Sequence, residues 1–140
     1  MRVFWAALAL FCAMSALPAS AAVVEATIDL SEQKMYVYEN GMLRHSWAVS
    51  TARGGYVTPV GNYQPIRLER MWHSRRYDWS PMPYSVFFKG GYAIHGTEYV
   101  KSLGRPASHG CIRLHPDNAR ILYEMVQSAG PGNTAIRVSR

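Results

Sequence analysis

The sequence has little cysteine, few acidic residues and no internal repeat. Two thiols in 140 residues, Cys12 and Cys111, are too few for a disulfide-stapled scaffold. Charged residues make up 17% and apolar residues 49%, which excludes a disordered chain. Without heptads, a Gly-X-Y period or a low-complexity tract, coiled-coil and collagen-like classes drop out. No Cys-x-x-Cys or His-x-x-x-His pair is present, so the spacing of a closed zinc module is missing as well. Nine Asp and Glu stand against fifteen Lys and Arg, a net charge of +6. Those cations are spread along the chain rather than run together, and this disfavours a nucleic-acid partner. What is left is one modest basic domain.

The one long apolar run lies at the start. Arg2 followed by Val3 to Leu17, a break at Pro18 and small residues at Ala19-Ser20-Ala21 has the three-part layout of a secretory signal. Fifteen residues fall short of the roughly 20 that span a bilayer. Residues 1–22 are therefore expected to be removed, leaving a domain over 23–140 in the periplasm or cell wall with no stable membrane insertion. Phe11 before Cys12 is wrong for lipoprotein processing. Cleavage takes Arg2, lowering the charge to +5, and takes Cys12, leaving Cys111 as an unpaired thiol in an oxidising compartment. Such a thiol is buried and inert, intermolecular, or reactive.

The remainder reads as mainly β. Alternating runs at 26–30 and 35–38, Asn40-Gly41, and a further run at 43–50 predict strands joined by a hairpin turn, since both turn residues tolerate positive φ. Thr58-Pro59-Val60-Gly61 reads as a turn into a short strand near Tyr63. The stretch 67–83, with four arginines, two tryptophans and two prolines, has no clear period and reads as a long surface loop. Strands at 84–88 and 92–95 form a second hairpin, with Ala93 and His95 on one face and Tyr92 and Ile94 on the other. One helix is expected from Pro116, with Asp117 in its first turn and Gly130 as its stop. Its apolar stripe is Ile121, Leu122, Met125, Val126 and Ala129. Residues 134–138 form a last strand.

Chemistry concentrates between His95 and Arg113. A nucleophilic thiol needs a base or a cation beside it, backbone N–H groups for the developing oxyanion, and room for substrate. Gly110 supplies the room, and a turn through Gly110-Cys111 can supply the donors. His95, His109 and His115 are the candidate bases. His109 is close in sequence, whereas His95 reaches Cys111 only through the fold. A buried, inert Cys111 is the plainer alternative, and the same three histidines with Cys111 would be acceptable zinc ligands at an unfamiliar spacing.

Ile94-His95-Gly96-Thr97, followed after eleven residues by Ser108-His109-Gly110-Cys111-Ile112-Arg113, resembles the signature of the L,D-transpeptidase catalytic domain. Ser50-Thr51 with Thr58-Pro59-Val60-Gly61, and Met82-Pro83-Tyr84 leading into Gly90-Gly91-Tyr92, agree with it. The resemblance runs from about Ala26 to Val138. It implies a β-sandwich with one helix near the C-terminus, no cofactor and no metal. It implies action on peptidoglycan stem peptides, with Cys111 attacking the carbonyl of the third residue of a tetrapeptide and releasing D-Ala. His95 would be the general base, or the imidazolium half of an ion pair, oriented by the Gly96 carbonyl. Gly110 and Cys111 N–H groups would form the oxyanion hole. Arg113 would hold a substrate carboxylate or buttress the loop, and Ser108, His109 and Tyr84 would contact substrate. The acceptor would be a second stem, giving a 3→3 cross-link, or a wall-attached protein; water as acceptor would make a carboxypeptidase or hydrolase. Tyr56-Val57 departs from the small or polar residues commoner there and is expected to shape the cleft rim.

Other readings fail on their motifs. Ser31-Glu32-Gln33-Lys34 is a formal S-x-x-K, but it sits between strands and lacks S-x-N and K-T-G partners. A sortase-type context before Cys111 is absent, and papain-type enzymes reverse the order of Cys and His. An inactive wall-binding module would have no need for the His95, Cys111 and Arg113 set.

Overall fold

The computed structural model describes residues 22–140; the expected signal segment falls almost wholly outside the described residues. Two sheets carry the fold. The first comprises β1 (Val24–Asp29), β2 (Lys34–Glu39), β3 (Met42–Ala48), β4 (Gly61–Tyr63) and β9 (Thr134–Ser139), in the order β3-β2-β1-β9-β4. The second comprises β5 (Arg67–Ser74), β6 (Ser80–Lys89), β7 (Tyr92–Gly96) and β8 (Ile112–Leu114), in that order. Asn40 and Gly41 both take positive φ, 49° and 78°, as a tight hairpin turn requires. Strand β9 returns parallel to β1 after the helix α1 (Pro116–Ala129).

Alternation places the core between the sheets. Val24, Ala26, Ile28, Met35 and Val37 of the first sheet meet Val86, Phe88, Ile94, Ile112 and Leu114 of the second. Helix α1 adds Ala119, Leu122 and Val126 to that core. Met125 and Ala129 pack at its margin, while Ile121 is only half-buried. The period-2 rule also decides the outer face of the second sheet. Phe87 and Ala93, each one residue out of step with the core positions, form a second small cluster with Met82, against which Trp72 and Cys111 pack. That outer face becomes the floor of the cleft.

One expectation is corrected outright. Residues 67–83 are not a loop: β5 and the first half of β6 form a hairpin paired from Arg67↔Phe87 to Ser74↔Ser80. Between Arg67 and Pro83 only Met82 is buried, so the alternation that marks a strand is lost. Pro81 and Pro83 fit because β7 pairs with β6 only from Val86 onward, so their missing N–H groups fall on an uncovered edge. Tyr84 interrupts the pairing, with φ at 53°, a left-handed conformation unusual for a bulky side chain, and bends the strand there.

Candidate active site

Helix-to-sheet packing and one strand pair bring the chemistry together. β7 and β8 run parallel, with Ile94 opposite Ile112 and His95 opposite Arg113. Ile94 and Ile112 point into the core, so His95, Cys111 and Arg113 face the other way. All three line a single cleft of about 1090 Å³, together with Gly91, Tyr92, Ser108 and His109.

His95 is buried, and its Nδ1 lies 2.6 Å from the Gly96 carbonyl. A carbonyl can only accept, so Nδ1 carries the proton and Nε2 keeps its lone pair. Burial, reinforced by the Arg113 charge and opposed by the Gly96 bond, lowers the His95 pKa to about 4; the ring is neutral at pH 7. Gly96 also lies in close packing. A Cβ at this position would come within 3.1 Å of Pro116 Cα and Pro83 Cγ, so a larger residue would have to push α1 or Pro83 back by a few tenths of an ångström.

Cys111 is half-buried, with its thiol directed to the Gly91 carbonyl at 3.8 Å rather than to His95. Desolvation raises its pKa, while a backbone N–H from Ala93 and the Arg113 cation work in the opposite direction. The resting pair is therefore thiol and neutral imidazole.

Hydrogen bonds fix the loop before Cys111 at almost every peptide. Gly110 takes φ 138°, and a Cβ there would sit 2.6 Å from the Tyr92 ring and 2.9 Å from Val57 O. Gly110 N–H donates to Ser108 Oγ at 3.0 Å, and Ser108 O–H donates to Cys111 O at 2.6 Å. This alters two expectations. The Gly110 N–H is already committed to a side chain, and the Ser108 hydroxyl staples the turn instead of facing substrate. Within this turn the Ser108 hydroxyl engages Gly110 N–H and Cys111 O and leaves Cys111 N–H untouched.

The roles of the residues that hold this loop were not legible in the sequence. Thr58 Oγ1 donates to Gly110 O at 2.8 Å and accepts from Ala52 N–H at 3.0 Å. Thr51 O accepts from both Ala107 and Ser108 N–H, each at 2.9 Å. Thr51 is itself gripped by the buried Gln33, whose Nε2 donates to Thr51 Oγ1 at 2.6 Å while its Oε1 accepts from Thr51 N–H at 3.0 Å. Gln33 sits inside the formal S-x-x-K, among residues of surface type, and nothing local marks it as buried. Thr51 and Thr58 fell within the stretches that carry the family resemblance, but no role was read for either.

The remaining predicted residues separate. His109 stacks on Tyr77 (centroids 4.0 Å apart, planes at 12°) and meets Tyr56 edge-on at 4.7 Å, so Tyr56 does form the rim. Arg53 donates to His109 Nε2 at 3.2 Å. Burial, then Arg53, holds the His109 pKa below its ordinary value. His115 caps α1, accepting from Asp117 N–H at 3.2 Å. Among the described residues, no three His, Cys, Asp or Glu side chains converge as metal ligands. Arg113 donates to Ala107 O at 3.3 Å and lies over the Tyr99 ring; no carboxylate pairs with it among the described residues. Tyr84, expected at the cleft, instead packs edge-on against Tyr123 of α1 at 5.6 Å, because its bend turns it away from the site.

The β-sandwich thus places Cys111 and the carbonyl-bonded His95 at neighbouring strand ends. A family model described as YkuD, the L,D-transpeptidase catalytic domain, matches residues 24–138, and the chain belongs to this family. Solved structures agree in fold. An L,D-transpeptidase from Mycobacterium smegmatis superposes with TM-score 0.76 at 23% identity, over 85% of this chain and 59% of that one. An L,D-transpeptidase from Stackebrandtia nassauensis gives 0.75 at 26%, over 90% and 59%. The L,D-transpeptidase LdtMt1 in complex with imipenem gives 0.74 at 24%, over 84% and 59%. The chain thus spans about three fifths of the length of these structures. No curated protein matches it.

Proposed function

We propose that this domain is a cysteine acyltransferase acting on peptidoglycan tetrapeptide stems. The observation that carries this reading is the His95 ring, locked by Gly96 with Nε2 unprotonated, lining the same cleft as Cys111. Nε2 takes the thiol proton as the sulfur attacks the carbonyl of the third residue, so the neutral pair becomes thiolate and imidazolium only as the bond forms. Cys111 N–H stabilises the oxyanion. The imidazolium then returns its proton to the departing D-Ala amine, leaving a thioester on Cys111. An acceptor amine, deprotonated by the same Nε2, attacks that thioester and restores the thiol. A stem-peptide amine gives a 3→3 cross-link, and a wall-attached protein is a second class of acceptor. Arg113 buttresses the loop through Ala107 and keeps free donors for a substrate carboxylate.

The signal-like segment at 1–22 supports export to the periplasm or wall. No helix among the described residues is long and apolar enough to cross a membrane. Incubating the purified protein with a disaccharide-tetrapeptide and weighing the products tests the reaction. Cross-linked dimers with D-Ala release are expected. Tripeptide alone would replace transfer with hydrolysis, and unchanged tetrapeptide would refute the reading.

A further inference from the structure

The catalytic pair does not use the wall that runs from Cys111 toward β5. Cys111 packs against the cluster of Met82, Phe87 and Ala93, and Trp72 extends that cluster, meeting Phe87 edge-on at 5.7 Å. At the far end the Arg67 guanidinium lies 4.1 Å from the Phe87 ring centre and 4.6 Å from that of Trp72. Two aromatic rings flank the cation, and among the described residues its N–H groups make no hydrogen bond. Its one carboxylate neighbour, Glu69, is 3.7 Å away with both side chains over a third exposed, beyond hydrogen-bond distance and screened by water. The two acids that line the cleft, Asp78 and Glu98, sit on the hairpin turn and beyond β7, off this wall. The cleft lining of Cys111, Met82, Phe87, Trp72 and Arg67 thus joins the thiol to apolar side chains and a guanidinium that makes no hydrogen bond, which matches an acyl group with an aliphatic side chain tipped by a carboxylate.

We propose that Arg67 reads a free carboxylate at the side-chain end of the residue whose carbonyl Cys111 attacks. The cleft thereby selects donors with that carboxylate free over donors in which it is amidated. The inference rests on the acyl-transfer reading above and deepens it. An amide can still accept one hydrogen bond, but it forfeits the charge that makes a bidentate guanidinium contact strong.

Two synthetic tetrapeptide donors, each with a diamino dicarboxylic acid at position three, test this. In one the side-chain carboxylate is free, and in the other it is the primary amide. Rates of D-Ala release are measured with a common acceptor. The wild-type protein is expected to favour the free acid about tenfold in kcat/KM. R67Q is expected to bring the two donors within about threefold, mainly by slowing the free acid. R44Q, which removes an exposed arginine from β3 outside the cleft, keeps the tenfold preference and so separates a local contact from net charge. Equal use of both donors by wild type, or a tenfold preference that persists in R67Q, would overturn the assignment while leaving acyl transfer standing. Failure of wild type to release D-Ala from either donor would overturn acyl transfer, and this assignment with it.

Discussion

Replacing Thr58 by valine removes a hydroxyl and preserves the shape of the side chain. Thr58 is 4% exposed, and its Oγ1 makes two hydrogen bonds, to Gly110 O and from Ala52 N–H. Valine leaves a carbonyl and an amide without a partner in a site water reaches poorly. An orphaned buried polar group costs about 1–3 kcal/mol, and partial relaxation of the loop reduces the sum for two. T58V should therefore lose about 2–4 kcal/mol. For a domain of this size that corresponds to a Tm lower by about 8–15 °C. The Gly110 carbonyl belongs to the peptide that carries Cys111 N–H, so the oxyanion donor loosens with it. Losing one aligned donor typically lowers kcat by about 10²–10³, and a misaligned one should lose about tenfold or more. T58S keeps the hydroxyl and is expected to stay within about 1 kcal/mol and threefold of wild type. Urea unfolding and D-Ala release on all three proteins provide the measurements. A T58V protein with wild-type stability and turnover would refute the claim that this hydroxyl sets the catalytic turn.

Two other perturbations have defined signs. His95 has its pKa lowered to about 4 in the fold, from 6.5. The unfolded chain therefore binds the extra proton between those values, and stability from this group is lost as pH falls through that window. The contribution is up to about 3 kcal/mol, so wild type should lose more stability than H95N between pH 7 and 4.5 in urea titrations; parallel losses would contradict a buried neutral ring. For Gly110, alanine meets both a strained φ and contacts under 3.0 Å with Tyr92 and Val57. G110A is expected to abolish acylation and to lose about 2–4 kcal/mol, and a folded, active G110A would show the turn to be adaptable.

The sandwich strands were legible wherever one face is dry: β1, β2 and β9 alternate because alternate residues enter the core. Helix α1 was legible end to end, since Pro116, Asp117 and Gly130 are positional signals. The β5–β6 hairpin was not, because a single buried residue between Arg67 and Pro83, Met82, imposes no period. His95, Cys111 and Arg113 stood out through motif and chemistry, and the strand register explains why they share a cleft. The roles of Gln33 and Thr58 were hidden for a different reason. Their function lies in bonds to residues 18 and 52 positions away, and no local pattern encodes a partner at that distance. Tyr84 was misplaced because a backbone bend, invisible in side-chain pattern, decides which way it points.

The most direct measurement is the intact mass of the protein after exposure to a carbapenem, for wild type, C111A and H95A in parallel. Wild type is expected to gain one acyl adduct, C111A none, and H95A to acylate at least about a hundredfold more slowly at pH 7, as loss of a general base commonly gives. An adduct of equal mass on C111A, or undiminished acylation of H95A, would contradict a thiol activated by the Gly96-oriented imidazole.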